Sequence, residues 1–87
     1  MERIEMEEAR NKIEDMLDEA IIQNPGEFPS GAIFTDTVLD YLHNMKHDGE
    51  VDGYSVNPWD ERGLVVRVWK GSEEIEVVRA PDGGRQQ

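Results

Sequence analysis

The chain has 87 residues and no cysteine, so it has room for one small domain that neither disulfides nor a zinc ribbon can stabilise. Its 20 acidic residues outnumber the 9 basic ones and give a formal net charge of −11. This charge argues against ordinary duplex DNA binding, because such binding needs positive charge to neutralise phosphates. No apolar run approaches the roughly 20 residues of a membrane span, so we expect no membrane partner.

The first predicted element is a helix over about residues 4–23. Its apolar residues recur at three- and four-residue spacing, which gives the helix one face to bury. They are Ala9, Ile13, Met16, Leu17, Ala20 and Ile21. The other face is acidic and is a candidate partner-binding surface. Its carboxylates are Glu7, Glu8, Glu14, Asp15 and Asp18.

A second helix is predicted over about residues 32–47, after a short connector. Ser30 or Thr35 is expected to cap its first turn, and Gly49 fits the left-handed position just past its end. The predicted buried stripe consists of Phe34, Val38, Leu39, Leu42 and Met45.

Three short strands follow. The first contains Tyr54 and Val56, with Gly53 as the expected site of a bulge, and residues 57–63 are predicted to form a polar loop. In the second strand, Leu64, Val66 and Val68 alternate with Val65, Arg67 and Trp69. In the third, Ile75 and Val77 alternate with Glu74, Glu76 and Val78. Alternation therefore places each set on one face of the sheet.

These elements predict a single α+β domain over residues 1–80, with two N-terminal helices packed on a three-stranded antiparallel β-meander. Residues 81–87 are expected to form a flexible tail. The sheet face away from the helices would carry Val65, Trp69 and Val78. An exposed apolar patch of this kind is typical of a protein interface. Trp59, in the predicted loop, is either a binding hot spot or a lid over the end of the core.

No catalytic arrangement is recognisable, so we expect no enzyme, no cofactor and no metal. His43 and His47 have the i,i+4 spacing of zinc ligands, but a third ligand is missing, and they are interpreted as part of a solvated helix face. Residues 48–53 match the first half of a calcium loop, yet its twelfth position holds Trp59 instead of glutamate. This segment is interpreted as a helix end followed by a strand.

The order of elements over residues 13–78 has a counterpart in a known family. The matching residues are Phe28 and Pro29 in the connector, Leu42 and Gly49 at the helix end, Tyr54 and Val56 in the first strand, and runs 63–68 and 74–78 in the others. This order resembles the C-terminal domain of contractile phage tail sheath proteins and the related sheath-initiator and baseplate proteins. The resemblance implies a one-domain relative in a tail, neck or baseplate, in which small domains exchange strands with neighbouring subunits.

The expected function is therefore that of a non-enzymatic structural or interaction protein of a phage or virus assembly, located in the virion or host cytoplasm. Its partners would be proteins, either copies of itself or virion subunits, bound through sheet edges and the acidic surface. One alternative is an acidic inhibitor that mimics DNA, of the anti-defence type. The other is a winged-helix regulator from a high-salt organism, since residues 35–68 also resemble a recognition helix and wing.

Overall fold

The computed structural model describes residues 2–28 and 30–80, and the predicted C-terminal tail lies outside them. The helices are α1 (Glu2–Gln23) and α2 (Ala32–His47), and the strands are β1 (Gly53–Asp60), β2 (Gly63–Lys70) and β3 (Glu73–Arg79). The strands form one antiparallel sheet in the order β1-β2-β3. The predicted α+β class, with two helices before a three-stranded meander, is confirmed.

The core lies between the helices and one face of the sheet, which we call the inner face. From α1 it takes Met6, Ala9, Ile13, Met16, Leu17 and Ala20, from α2 Phe34, Val38, Leu42 and Met45, and from β2 and β3 Leu64, Val66, Val68 and Val77. Ile21 is partly buried and packs against this core, in line with its place in the α1 stripe. The predicted burial of Leu39 was wrong, because Leu39 is 37% exposed. The buried face of α2 is a narrow stripe, and Leu39 lies on its flank.

A side chain of the connector before α2 caps the start of the helix, in place of the predicted Ser30 or Thr35. Oε1 of Glu27 accepts hydrogen bonds from the backbone N–H of Ile33 at 2.9 Å and of Phe34 at 3.4 Å. The N-cap residue is Gly31, and a Cβ at that position would collide with the Glu27 side chain. The glycine therefore leaves room for the carboxylate that satisfies the first turn.

The predicted role of Gly49 at the end of α2 is confirmed. Gly49 has a φ of 84°, and its N–H donates to the carbonyl of Lys46 at 3.0 Å. The next N–H, of Glu50, donates to the carbonyl of Met45 at 2.9 Å. These two bonds form a Schellman motif, which turns the chain from α2 toward β1.

The strand β1 is longer than predicted, because it continues through Pro58 and Trp59 to Asp60. The pairing with β2 shifts between Asn57 and Asp60, so Pro58 and Trp59 together lie opposite one residue of β2 and form a β-bulge. The prediction of a polar loop over residues 57–63 was therefore wrong for residues 57–60, which belong to β1. A proline is tolerated here because β1 is an edge strand.

Candidate protein-binding surface

The outer face of the sheet, on the side away from the helices, is the first candidate surface. The register pairs Val65 with Val78 and Trp69 with Glu74, so these side chains share one face. Since Leu64, Val66 and Val68 belong to the core, the predicted alternation of β2 is confirmed.

The outer face is nevertheless not the continuous apolar patch that the sequence predicts. Val65 is only 4% exposed and Val78 is partly buried, whereas Trp69 is 37% exposed. The directly paired Arg67 and Glu76 lie between Trp69 and Val65 along the strands. The apolar groups are thus separated by charge, and the prediction of one exposed patch was wrong.

The Trp69 side chain packs against the sheet backbone on this face. It pairs directly with Gly53 of β1, and a Cβ built on Gly53 would lie 2.5 Å from Cζ2 of the indole. The ring therefore lies over the glycine backbone and covers a stretch of sheet that has no side chain of its own. Gly53 is in regular register with Trp69, so the bulge predicted at Gly53 was wrong.

An ion cluster connects the β1–β2 turn to β3. The Arg62 guanidinium donates to Asp60 at 3.0 Å and to Glu76 at 3.1 Å, and Arg67 donates to Glu76 at 3.0 Å. Hydrogen bonds from Arg62 lower the pKa of both carboxyl groups, with Arg67 contributing to the shift at Glu76. The cluster fixes the turn that follows Trp59.

Trp59 projects from this fixed segment into solvent. Its side chain is 78% exposed, which excludes the alternative of a lid over the core. Its backbone N–H donates to Oδ1 of Asn57 at 3.0 Å, and the preceding Pro58 is buried. The indole is therefore presented by a bulge whose backbone is held on both sides, which is the arrangement expected of a preorganised contact residue.

The acidic face of α1 is only partly available. Glu7, Glu8 and Asp15 are exposed. Asp18 accepts from Arg79 at 3.0 Å, and Glu14 is 4.0 Å from Arg10. Asp18 therefore ties α1 to β3, whereas Glu14 pairs within α1, and both pairs reduce the negative charge that α1 can offer to a partner.

A shallow, open cleft that the sequence did not reveal lies between α2 and the edge strand β1. It has a volume of about 590 Å³. Its lining residues are Asp36, Thr37, Leu39, Asp40 and His43 of α2, and Tyr54 of β1. The sequence could have indicated this cleft, because Asp36 and Asp40 are four residues apart on α2 and Leu39 lies beside them. The prediction that Leu39 is buried prevented this interpretation.

No cation site emerges from the described residues, where no three His, Asp or Glu side chains gather in a suitable arrangement. His43 and His47 are both exposed on α2, and Asp48 is its C-cap residue. Over the described ranges, neither helix is long and apolar enough to cross a membrane.

Comparison with known proteins adds no relative. The chain matches no family model, and no curated protein or solved structure is similar to it.

Proposed function

We propose that the protein is a binding module that acts through protein–protein contacts and without catalysis, as a component of a larger assembly. The observation that carries this proposal is the presentation of Trp59, whose indole is exposed while its backbone N–H is bonded to Asn57 and the next residue, Asp60, is bonded to Arg62. Exposed indoles on fixed backbones are favourable contact residues, because little conformational entropy is lost when they are buried.

The energy available from Trp59 is large for one residue. An indole presents at most about 250 Å², and at 78% exposure roughly 195 Å² remains to be buried by a partner. At about 25 cal/mol per Å², this burial is worth up to about 5 kcal/mol. Truncation of Trp59 should therefore cost about 2 kcal/mol or more in binding, the range of an interface hot spot.

The kind of assembly rests on the resemblance of residues 13–78 to sheath and baseplate domains of contractile phage tails. A tail, neck or baseplate component would meet neighbouring subunits on several sides. The edge of β1, the Trp59 bulge and the acidic face of α1 offer such separate contacts. In this proposal the partners are virion subunits or copies of the same chain, in the virion or the host cytoplasm.

The test compares Trp59→Ala with Ile22→Ala, which removes an equally exposed apolar side chain (74%) from α1. Each immobilised variant is incubated with a lysate of the natural source at about 0.1 M and about 1 M salt. Retained proteins are identified, purified and rebound, and self-association is measured by sedimentation. A partner that resists high salt and is lost only with Trp59→Ala would support the proposal. Equal retention by both variants, or a monomer that retains nothing, would contradict it.

The acidic inhibitor remains a second candidate, favoured by the exposed carboxylates Glu7, Glu8 and Asp15 on α1. Binding of that kind should weaken steeply between the two salt concentrations, whereas burial of Trp59 should not. The winged-helix alternative needs a third helix, and the described residues form two. Its recognition helix would also turn Asp36 and Asp40 toward phosphates.

A further inference from the structure

The two edges of the sheet differ in how far their backbone groups are engaged. Arg10 of α1 donates to the carbonyl of Glu76 at 3.3 Å, so this carbonyl points outward from β3 rather than toward β2. Arg67, the partner of Glu76 in the register, is then hydrogen-bonded to β1, because successive residues of a central strand turn their backbone groups to alternate sides.

The same alternation fixes the open groups of β1. Ser55 pairs with Arg67 and takes up its backbone groups. Its neighbours Tyr54 and Val56 therefore direct their N–H and C=O groups away from β2, toward the open edge. An edge with regularly spaced free donors and acceptors is a template for one more strand.

The cleft lies where the side chains of such a strand would meet α2. Asp36, Leu39, Asp40 and His43 are spaced by three or four residues, so they form one stripe along the helix. Leu39 and the half-buried Tyr54 supply apolar surface to the cleft. Asp36 and Asp40 supply negative charge, and among the described residues neither forms an ion pair.

We propose that the cleft between β1 and α2 binds an extended, basic polypeptide segment that adds to β1 as a fourth strand. Asp36 and Asp40 are one helical turn apart, roughly 6 Å along the axis. Alternate residues of a strand are separated by about 6.7 Å. Two lysines or arginines at alternate positions therefore match the two carboxylates, and the aliphatic stem of the side chain that meets Asp40 can contact Leu39, one residue before it.

Charge identifies the occupant as a different protein rather than a second copy of this chain. Each copy carries a net charge of −11, and two of its carboxylates lie in the cleft itself. A second acidic chain would bring like charges together, whereas a lysine- or arginine-rich segment is complementary. The proposal rests on the proposed function as a binding module, and it assigns a surface separate from the Trp59 indole.

The probe is a synthetic peptide of about eight residues in which lysine and valine alternate, long enough to span an average strand. Its affinity is measured for the wild type, for the double variant Asp36→Asn/Asp40→Asn, and for the control Glu7→Gln/Glu8→Gln. Both double variants remove two exposed charges, but only the first removes them from the cleft. Loss of two exposed ion pairs should weaken binding about two- to thirtyfold in the first variant.

Two further measurements separate strand addition from simple charge attraction. In a bound strand, the N–H groups of odd positions point to one edge and those of even positions to the other. N-methylation of the set that faces β1 should abolish binding, whereas N-methylation of the other set should leave binding unchanged. Amide exchange at Tyr54 and Val56 should slow when the unmodified peptide binds. Trp59→Ala should leave peptide binding unchanged. The proposal for Trp59 and the proposal for the cleft can therefore be refuted independently, the first by the lysate experiment and the second by the peptide.

Equal weakening by the two double variants, or unprotected amides at Tyr54 and Val56, would overturn the proposal. So would equal binding of both methylated peptides. Protection of the same amides without peptide, together with self-association, would also overturn it by assigning the edge to a second copy.

Discussion

Replacement of Gly53 by alanine should destabilise the fold through Trp69, although alanine is normally the better residue in a strand. The added Cβ would lie 2.5 Å from Cζ2 of the indole and within 2.7 Å of Nε1, distances that real side chains do not tolerate. No positive φ restricts Gly53, so the backbone itself accepts alanine. The ring of Trp69 must therefore move off the sheet.

The size of the effect follows from the area that Trp69 covers. The side chain is 37% exposed, so about 63% of roughly 250 Å² is buried, close to 160 Å². Complete release would cost at most about 4 kcal/mol at about 25 cal/mol per Å². Partial release, offset by the gain of about 0.5–1 kcal/mol for leaving glycine, gives an expected loss of about 2 kcal/mol. For a domain of this size, this corresponds to a melting temperature lower by about 8–16 °C.

The assay is urea unfolding followed by far-ultraviolet circular dichroism, with the m value used to check that the unfolded state is unchanged. Gly26→Ala is the matched control, because a Cβ there meets nothing within 4 Å. It should leave the free energy of unfolding unchanged or raise it slightly.

The decisive comparison repeats Gly53→Ala in a Trp69→Ala background. With the indole gone the clash is absent, so Gly53→Ala should become neutral or stabilising by up to about 1 kcal/mol. The change of sign gives a coupling energy of about 2–3 kcal/mol between the two positions. If Gly53→Ala lowers the free energy of unfolding by the same amount in both backgrounds, Trp69 is not the cause.

Two other substitutions test the remaining local interactions. Gly31→Ala should displace the Glu27 side chain and lower the free energy of unfolding by about 1 kcal/mol, but add little in a Glu27→Gly background, which removes every Glu27 atom that the new Cβ meets, as urea unfolding can measure. Arg62→Gln tests the ion cluster through acid unfolding: Arg62 holds the pKa of Asp60 below its ordinary 3.8 and that of Glu76 below its ordinary 4.5. Because the folded pKa values are the lower ones, the stabilisation is complete above the unfolded values and is lost as pH falls through the folded ones. The decline between about pH 5 and about pH 2 should therefore be shallower in the variant, and an identical decline would contradict the assignment.

Much of the fold follows from local patterns in the sequence. The bounds of α2 match the prediction, because its apolar stripe and Gly49 define the helix without help from distant residues. The two faces of β2 also match, because alternation depends only on the period of a strand. The burial of Leu39 could not be predicted from the spacing of apolar residues, because it depends on the width of the α2 face that the sheet covers.

The details of the candidate surfaces and of the α2 cap depend on how the elements are arranged in space. Trp69 covers Gly53 only because the register brings them together, and pattern alone suggested a fully free indole. The extension of β1 through Pro58 also depends on β1 being an edge strand, a fact of topology. Glu27 caps α2 from outside the helix, whereas sequence rules favour a residue at the cap itself.

The contact between Arg10 and the Glu76 carbonyl limits how many chains this sheet can join. Glu76 is the central residue of β3, so the helix side blocks strand addition at that edge. Among the described residues, β1 is then the remaining open edge. If the proposed strand addition occurs, a row of subunits linked in this way would begin or end at this protein, because the described part of its sheet accepts one added strand.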